Sequence, residues 1–297
     1  MHNFRKFHKP DLFITVTCNP HWSEIQTNLL PGQKHHDRPD LVARVFKLKK
    51  DQLIKDITKG AIFGESLAYL WVVEFQKRGL PHAHILLILA DSDRPKTSDE
   101  VDRVVSAELP PSPYEEGISE EEKVNRQPLW DIVVTNMIHG PCGEYNRKAS
   151  CMVDNKCSKK FPKAFQNSTT VNEDCSHPIY RRRSPEDGGL TGQKGTTIID
   201  NSWVVPYNPY LSKRYNCHIN VEICGSPTSA KYLYKYVTKG PDRAMVSAEV
   251  DTPQPLRNEI RQYEDMRSVG SSEACWKIYA FPIAKNHPPV QVMNNLT

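Results

Sequence analysis

Trp71 to Leu89, WVVEFQKRGLPHAHILLIL, decides the fold. Both flanks are rich in branched and aromatic residues, and Lys77-Arg78-Gly79-Leu80-Pro81 places glycine and proline between them, so the stretch reads as two strands of a hairpin. Side chains alternate faces along a strand, which puts His82 and His84 on one face and Ala83 and Ile85 on the other. Two imidazoles so placed can share one divalent ion. Glu74 and Gln76 on the facing strand are also two apart, and either can add an oxygen; imidazole with a carboxylate or amide oxygen suits Mg2+, Mn2+ or Zn2+. The plainer alternative is a pair of surface histidines. Against it, the pair opens a run of buried type, Ile85-Leu86-Leu87-Ile88-Leu89, where an imidazole without a partner is costly.

The chain has 297 residues, 38% hydrophobic and 25% charged, enough for one large domain or two small ones. No apolar run approaches a membrane span, and Met1-His2-Asn3-Phe4-Arg5 does not begin a signal peptide, so an intracellular chain with no membrane partner is expected. A formal charge of +4 permits a polyanionic partner without demanding one. Eight cysteines argue against a disulfide scaffold and for metal or reduced core thiols. Cys18, Cys217, Cys224 and Cys275 sit singly beside apolar segments and read as small buried hydrophobes.

Upstream of the hairpin, Leu12 to Cys18 reads as a central strand stopped by Asn19-Pro20. Apolar residues from Leu41 to Ile57 recur at helical spacing behind Pro39, with Lys and Arg between them, and predict an amphipathic helix over Pro39 to Lys59 with a basic outer face. Downstream, Asp91 to Gln127 holds Pro110-Pro111-Ser112-Pro113 and Glu120-Glu121-Glu122 with little periodicity, the pattern of a solvated, disordered acidic insertion with one helix near its start. Asp131 to His139 is helix or strand. Arg181-Arg182-Arg183 and the Gly-rich stretch to Gly195 read as a basic, mobile connection, either a solvated face or a phosphate contact. Trp203 to Tyr210 and His218 to Cys224 read as further strands.

His139, Cys142, Cys151 and Cys157 lie close in sequence among Lys156, Lys159, Lys160 and Lys163. Three thiols and an imidazole can form a closed structural Zn2+ site, and a loop-rich stretch with few apolar residues needs such a staple. The spacing departs from paired C-x-x-C patterns, free surface thiols are the alternative, and Cys175 and His177 are reserve ligands.

Ser229 to Lys239, SAKYLYKYVTK, follows Pro227 and stops at Gly240-Pro241; Ser226 or Thr228 can cap its start and Gly240 its end. Tyr232 and Tyr236 are four apart and share a helix face, beside a row of Lys231, Lys235 and Lys239. A phenol with an unperturbed pKa of about 10 is a weak nucleophile, and neighbouring ammonium groups favour its ionised form. The alternative is that both rings only pack against the sheet.

Several stretches together resemble the replication-initiator (Rep) nuclease domain of Helitron transposases, in the HUH superfamily of single-strand endonucleases. They are KPDLFITVTCNPHW (9–22), VVEFQKRGLPHAHILL (72–87), MIHGPCG (137–143), KCSKKFPKAF (156–165), YRRR (180–183), KYLYKYVTKG (231–240) and EIRQYEDMRSVGSSEACWKIYAFPI (259–283). The resemblance implies an α+β fold, a central antiparallel sheet flanked by helices with a Cys/His-rich inserted module. It implies a nuclease core split into 9–92 and 201–285 around an acidic insertion (93–128) and the basic Cys/His module (129–200). His82 and His84 match the motif histidines, Gln76 is the favoured third ligand with Glu74 as alternative, and Tyr232 and Tyr236 match the paired nucleophiles, with Lys235 beside them.

The implied activity is Mg2+- or Mn2+-dependent cleavage and transfer of single-stranded DNA through a 5'-phosphotyrosine, as in rolling-circle transposition, in the nucleus. The family's helicase, normally on the same polypeptide, is not expected here, because no G-x-x-x-x-G-K-[ST] loop is present. The runner-up is a single-stranded-DNA-binding remnant without catalysis. A zinc hydrolase on His82 and His84 is the weakest reading, since it leaves the tyrosines without a role.

Overall fold

The computed structural model describes residues 9–60, 62–75, 80–171, 177–225 and 269–289. Its frame is a five-stranded antiparallel sheet in the order β8-β1-β3-β2-β9. These strands are β1 (Leu12–Thr17), β2 (Ser66–Phe75), β3 (Pro81–Leu89), β8 (Ile219–Ile223) and β9 (Ala284–His287). The α+β class and central sheet expected from the sequence are thus observed. β2 and β3 pair as the expected hairpin, and their register sets Glu74 opposite His82 and Val72 opposite His84. β1 lies inside the sheet between β3 and β8.

Period-two alternation divides this sheet into two chemically different faces. Leu12, Ile14 and Val16 of β1, Ala83, Ile85 and Leu87 of β3, and Ile219 and Val221 of β8 are buried in the main core. Against them packs α2 (Pro39–Thr58), which follows a short α1 (Ser23–Gln26) and buries Val42, Phe46, Leu53 and Ile57. Burial of each such side chain is worth about 1.5–3 kcal/mol, so this layer is the main source of stability. α6 (Ser271–Ile278) closes the layer, its buried Trp276 meeting Phe46 at a ring-centroid distance of 6.1 Å. The helix predicted over 39–59 is therefore present, but its basic face is not wholly outward: Lys50 is 2% exposed.

The insertion at 93–128 has the helix expected near its start, but the rest, expected to be disordered, is structured. It holds α3 (Ser98–Val104), started by a Thr97–Glu100 capping box, and the first turns of α4 (Glu120–Asn136), whose N-cap is Ser119. Val101, Val105, Ala107 and Leu109 are buried, because distant segments cover what local composition leaves bare. Asp131 to Asn136 completes α4, and Ile138 bridges to Val204.

A second core gathers Trp130, Val133, Met137, Ile199, Trp203 and Tyr207 around Cys142. Around it lie the hairpins β4 (Met152–Val153) with β5 (Lys156–Cys157) and β6 (Thr191–Lys194) with β7 (Thr197–Asp200). The strand expected over Trp203 to Tyr210 is replaced by a 3-10 turn at Asn201–Trp203, isolated bridges, and α5 (Pro209–Tyr215) capped by Asn208. Pro206 and Pro209 lack the N–H groups a ladder needs.

The arginine run is not a mobile connection. Arg182 is 5% exposed and donates through one guanidinium nitrogen to the carbonyls of Ala107, Asn201 and Val204. Arg183 grips Glu108 with two side-chain bonds of 2.9 and 2.7 Å. Among the described residues no helix is long and apolar enough to cross a membrane.

Candidate metal centres and the groove between them

The second face of the sheet carries polar side chains in register. One row across the strands runs His218, Thr17, His82, Glu74, and the next runs Asn220, Thr15, His84, Val72, where the face turns apolar. His82 Nδ1 lies 2.7 Å from Thr17 Oγ1, and His84 Nδ1 lies 3.0 Å from Thr15 Oγ1. Both imidazoles are thereby held at the same ring nitrogen by the same neighbouring strand, which leaves Nε2 as the ligand position on each. His84 Nε2 already meets a carboxylate, Glu74 Oε2, at 3.0 Å. Phe13, one step further along β1, stacks on the His84 ring at 5.8 Å.

Burial is the main cause that lowers the His82 pKa; His84 lowers it further, while Glu74 works the other way. Neutral imidazole is the form that binds metal. His218 is pushed down to about 4, chiefly by burial, and its Nδ1 has no hydrogen-bond partner among the described residues. Two imidazoles and the Glu74 carboxylate are donors of the kind a divalent ion takes, but among the described residues only His139, Cys142, Cys151 and Cys157 bring three or more such ligand atoms within 4.8 Å of one another. Gln76, the favoured third ligand, lies outside the described residues, as do Tyr232, Lys235 and Tyr236.

A groove of about 790 Å³ opens over this face. Its floor includes His82, His84, Glu74 and Asn220, and its opposite wall is supplied by the Cys/His module through His139, Lys159, Phe161 and Lys163. Thr15, Thr17, His218, Asn220 and Glu222 were not singled out as site residues from the sequence. Alternation in LFITVT and HINVEIC hints at them, but only inter-strand register shows that they share the histidines' face.

At the module, one ligand atom each from His139, Cys142, Cys151 and Cys157 comes within 4.8 Å of the other three. Cys157 Sγ and His139 Nε2 are 3.3 Å apart. With Zn–S of about 2.3 Å and Zn–N of about 2.0 Å, a tetrahedral centre needs separations of roughly 3.5 Å between such atoms, so the cluster can hold a metal such as zinc. Local sequence explains the gathering. Asp154 and Asn155 both adopt positive φ, at 49° and 60°, and turn the β4–β5 hairpin that sets Met152 opposite Cys157. Gly140 has φ +85°, and a Cβ there would stand 2.6 Å from the Cys142 nitrogen.

Burial pushes the Cys142 thiol up to about 12, and the Cys151 and Cys157 thiols add to this. Crowded sulfurs resist ionising together without a cation, whereas a bound cation favours the thiolates. His177 is not among the four; its Nδ1 lies 3.0 Å from the Ile223 carbonyl. Cys175 lies outside the described residues. Cys18, Cys217 and Cys224 are buried free thiols, as expected, while Cys275 is only half-buried.

An antiparallel sheet of an α+β fold that offers two strand-borne imidazoles and a carboxylate to a groove, walled by a Cys/His cluster able to hold a metal, defines a candidate functional site. Residues 1–87 match a family model described as the Helitron helicase-like domain at the N-terminus. The match runs through β1, α2, β2 and most of β3 and includes both histidines, which supports a relationship to Helitron-type transposon proteins. No curated protein matches the chain significantly.

Proposed function

We propose that this chain is a metal-dependent endonuclease and strand transferase acting on single-stranded DNA, of the HUH type, and that it works in the nucleus beside a helicase. The observation that carries the reading is the histidine pair on β3, each ring oriented by a threonine of β1 and faced by Glu74 of β2. His82, His84 and either Glu74 or Gln76 would hold Mg2+ or Mn2+, which when bound supplies polarisation of a phosphate oxygen.

Tyr232 or Tyr236 gives up its phenolic proton to water, the Lys235 ammonium favouring the phenolate, and its oxygen forms a bond to the scissile phosphorus. The bond from phosphorus to the 3'-oxygen breaks, and that oxygen takes up a proton. The products are a 5'-phosphotyrosine and a free 3'-hydroxyl, and the second tyrosine serves a further cleavage or transfer. The phosphodiester's energy is retained in the covalent link, so rejoining needs no nucleotide.

The test is incubation with end-labelled single-stranded DNA and Mn2+ or Mg2+, denaturation, and measurement of label attached to protein. A metal-dependent adduct that Tyr232→Phe or Tyr236→Phe abolishes is expected. A second reading, a DNA-binding protein without catalysis, is favoured by the Glu74–His84 hydrogen bond, which satisfies that imidazole without any metal. Binding with no adduct at any metal concentration would select it.

A further inference from the structure

We propose that Zn2+ held by His139, Cys142, Cys151 and Cys157 clamps the segment from Ser158 to Lys163 over the sheet, making Lys159 and Lys163 a phosphate-binding wall for single-stranded DNA. The inference rests on reading the groove as a DNA site, and it gives the Cys/His module a part in binding that the cleavage chemistry does not require.

The segment is fastened to the cluster at each step. Ser158 N donates to the Cys151 carbonyl and Lys160 N to the Cys157 carbonyl, both at 2.8 Å, and Lys160 turns the chain with φ 57°. The Phe161 ring stacks on the His139 ring at 4.3 Å with 19° between planes, so the far side of the segment is pinned to a fourth ligand.

What this holds in place is positive charge. Lys163 Nζ stands 4.9 Å from the Phe161 ring centroid and donates to the Lys159 carbonyl at 2.9 Å, while Lys163 N donates to the Ser202 carbonyl. Its ammonium is thus fixed at the groove without a carboxylate among these contacts. The carboxylates in the groove, Glu74 and Glu222, belong to the sheet strands, so positive charge lies on the module side and negative charge on the sheet side. A strand whose scissile phosphate sits at the histidines would lay flanking phosphates against the lysine wall. Two other groove residues are less suited to hold DNA: Arg182 donates to three backbone carbonyls, and Phe161 already has His139 and Lys163 against its ring.

The experiment uses the full chain, a fluorescent thymidine oligonucleotide and no added Mg2+ or Mn2+, so that binding is read without cleavage. Metal analysis after zinc loading and dialysis should find one Zn2+ per chain, and Cys151→Ser should lose it together with oligonucleotide affinity. Lys163→Gln should keep the zinc and the unfolding midpoint while removing one phosphate contact. Its slope of log affinity against log salt should fall by about 0.7, and its affinity at 0.1 M salt by about fivefold. A protein that retains no zinc, or a Lys163→Gln variant with an unchanged salt slope, overturns the proposal. An adduct-forming protein with an unchanged slope sinks this inference alone, and a changed slope without any adduct sinks only the nuclease reading.

Discussion

Thr15 and Thr17 matter to the histidine pair because of which ring nitrogen they occupy. Each hydroxyl sits at Nδ1, which leaves Nε2 of both rings for another partner, and His84 Nε2 meets Glu74 of the neighbouring strand. Neighbours that fix a ligand's orientation typically change metal affinity by 10- to 100-fold when removed. Thr17→Val keeps the shape and strand preference of the residue and deletes only the bond to His82. We expect the Mn2+ concentration for half-maximal adduct formation to rise about tenfold, with the unfolding midpoint unchanged. An unchanged Mn2+ midpoint would mean that Thr17 is only a sheet residue. Tyr232 and Tyr236 are unchanged in this variant, so the Mn2+ midpoint reads the metal side of the proposed reaction separately from the nucleophile.

At the level of elements, the sequence is most legible where periodicity and burial coincide. The β2–β3 hairpin, the shared face of His82 and His84, and the helix starting at Pro39 follow from alternation, branched residues and proline, and all are observed. Strand order and register were not legible, which is why Thr15, Thr17 and the β8 residues escaped notice. The segment 93–128 misled for a related reason, since the residues that cover Val101, Ala107 and Leu109 come from far along the chain. Lys50 shows the same limit inside a correctly read helix: its spacing fits either side of the helix boundary, yet its Nζ lies 3.5 Å from the Trp71 ring centroid and 2.6 Å from Asp51. Burial is the main cause that lowers its pKa, so the charge is held there against a desolvation cost, while the stem packs as a hydrophobe. Lys50→Met is expected to stay within about 1 kcal/mol of the parent in urea unfolding, whereas Lys50→Ala should lose about 2 kcal/mol through the space it leaves. Equal losses in the two variants would show that the ammonium, not the stem, holds α2 against β2.

Across the whole molecule, two cores must be kept in one relative position for a groove to exist between the sheet and the Cys/His module, and Glu108 is a principal tie. It is 6% exposed and accepts from Arg183 N at 2.8 Å, from the Arg183 guanidinium, and from Arg181 Nε at 3.2 Å. Its own carbonyl accepts from Tyr207 Oη in the second core at 3.0 Å. Burial raises the Glu108 pKa, but the hydrogen bonds and charges of Arg183 and Arg181 outweigh it, and the net shift is downward. A carboxyl whose folded pKa lies below its unfolded value of about 4.3 contributes stability that is complete above that value and is lost as pH falls through the folded pKa. Glu108→Gln should therefore cost about 2 kcal/mol at pH 7, a figure kept low because both arginines are partly exposed and screened. The difference from the parent should shrink as pH is lowered below 4. Urea midpoints of both proteins at pH 7, 5 and 3 measure it. A gap that stays constant across the series would mean that the shape of the glutamate, not its charge, joins the two halves.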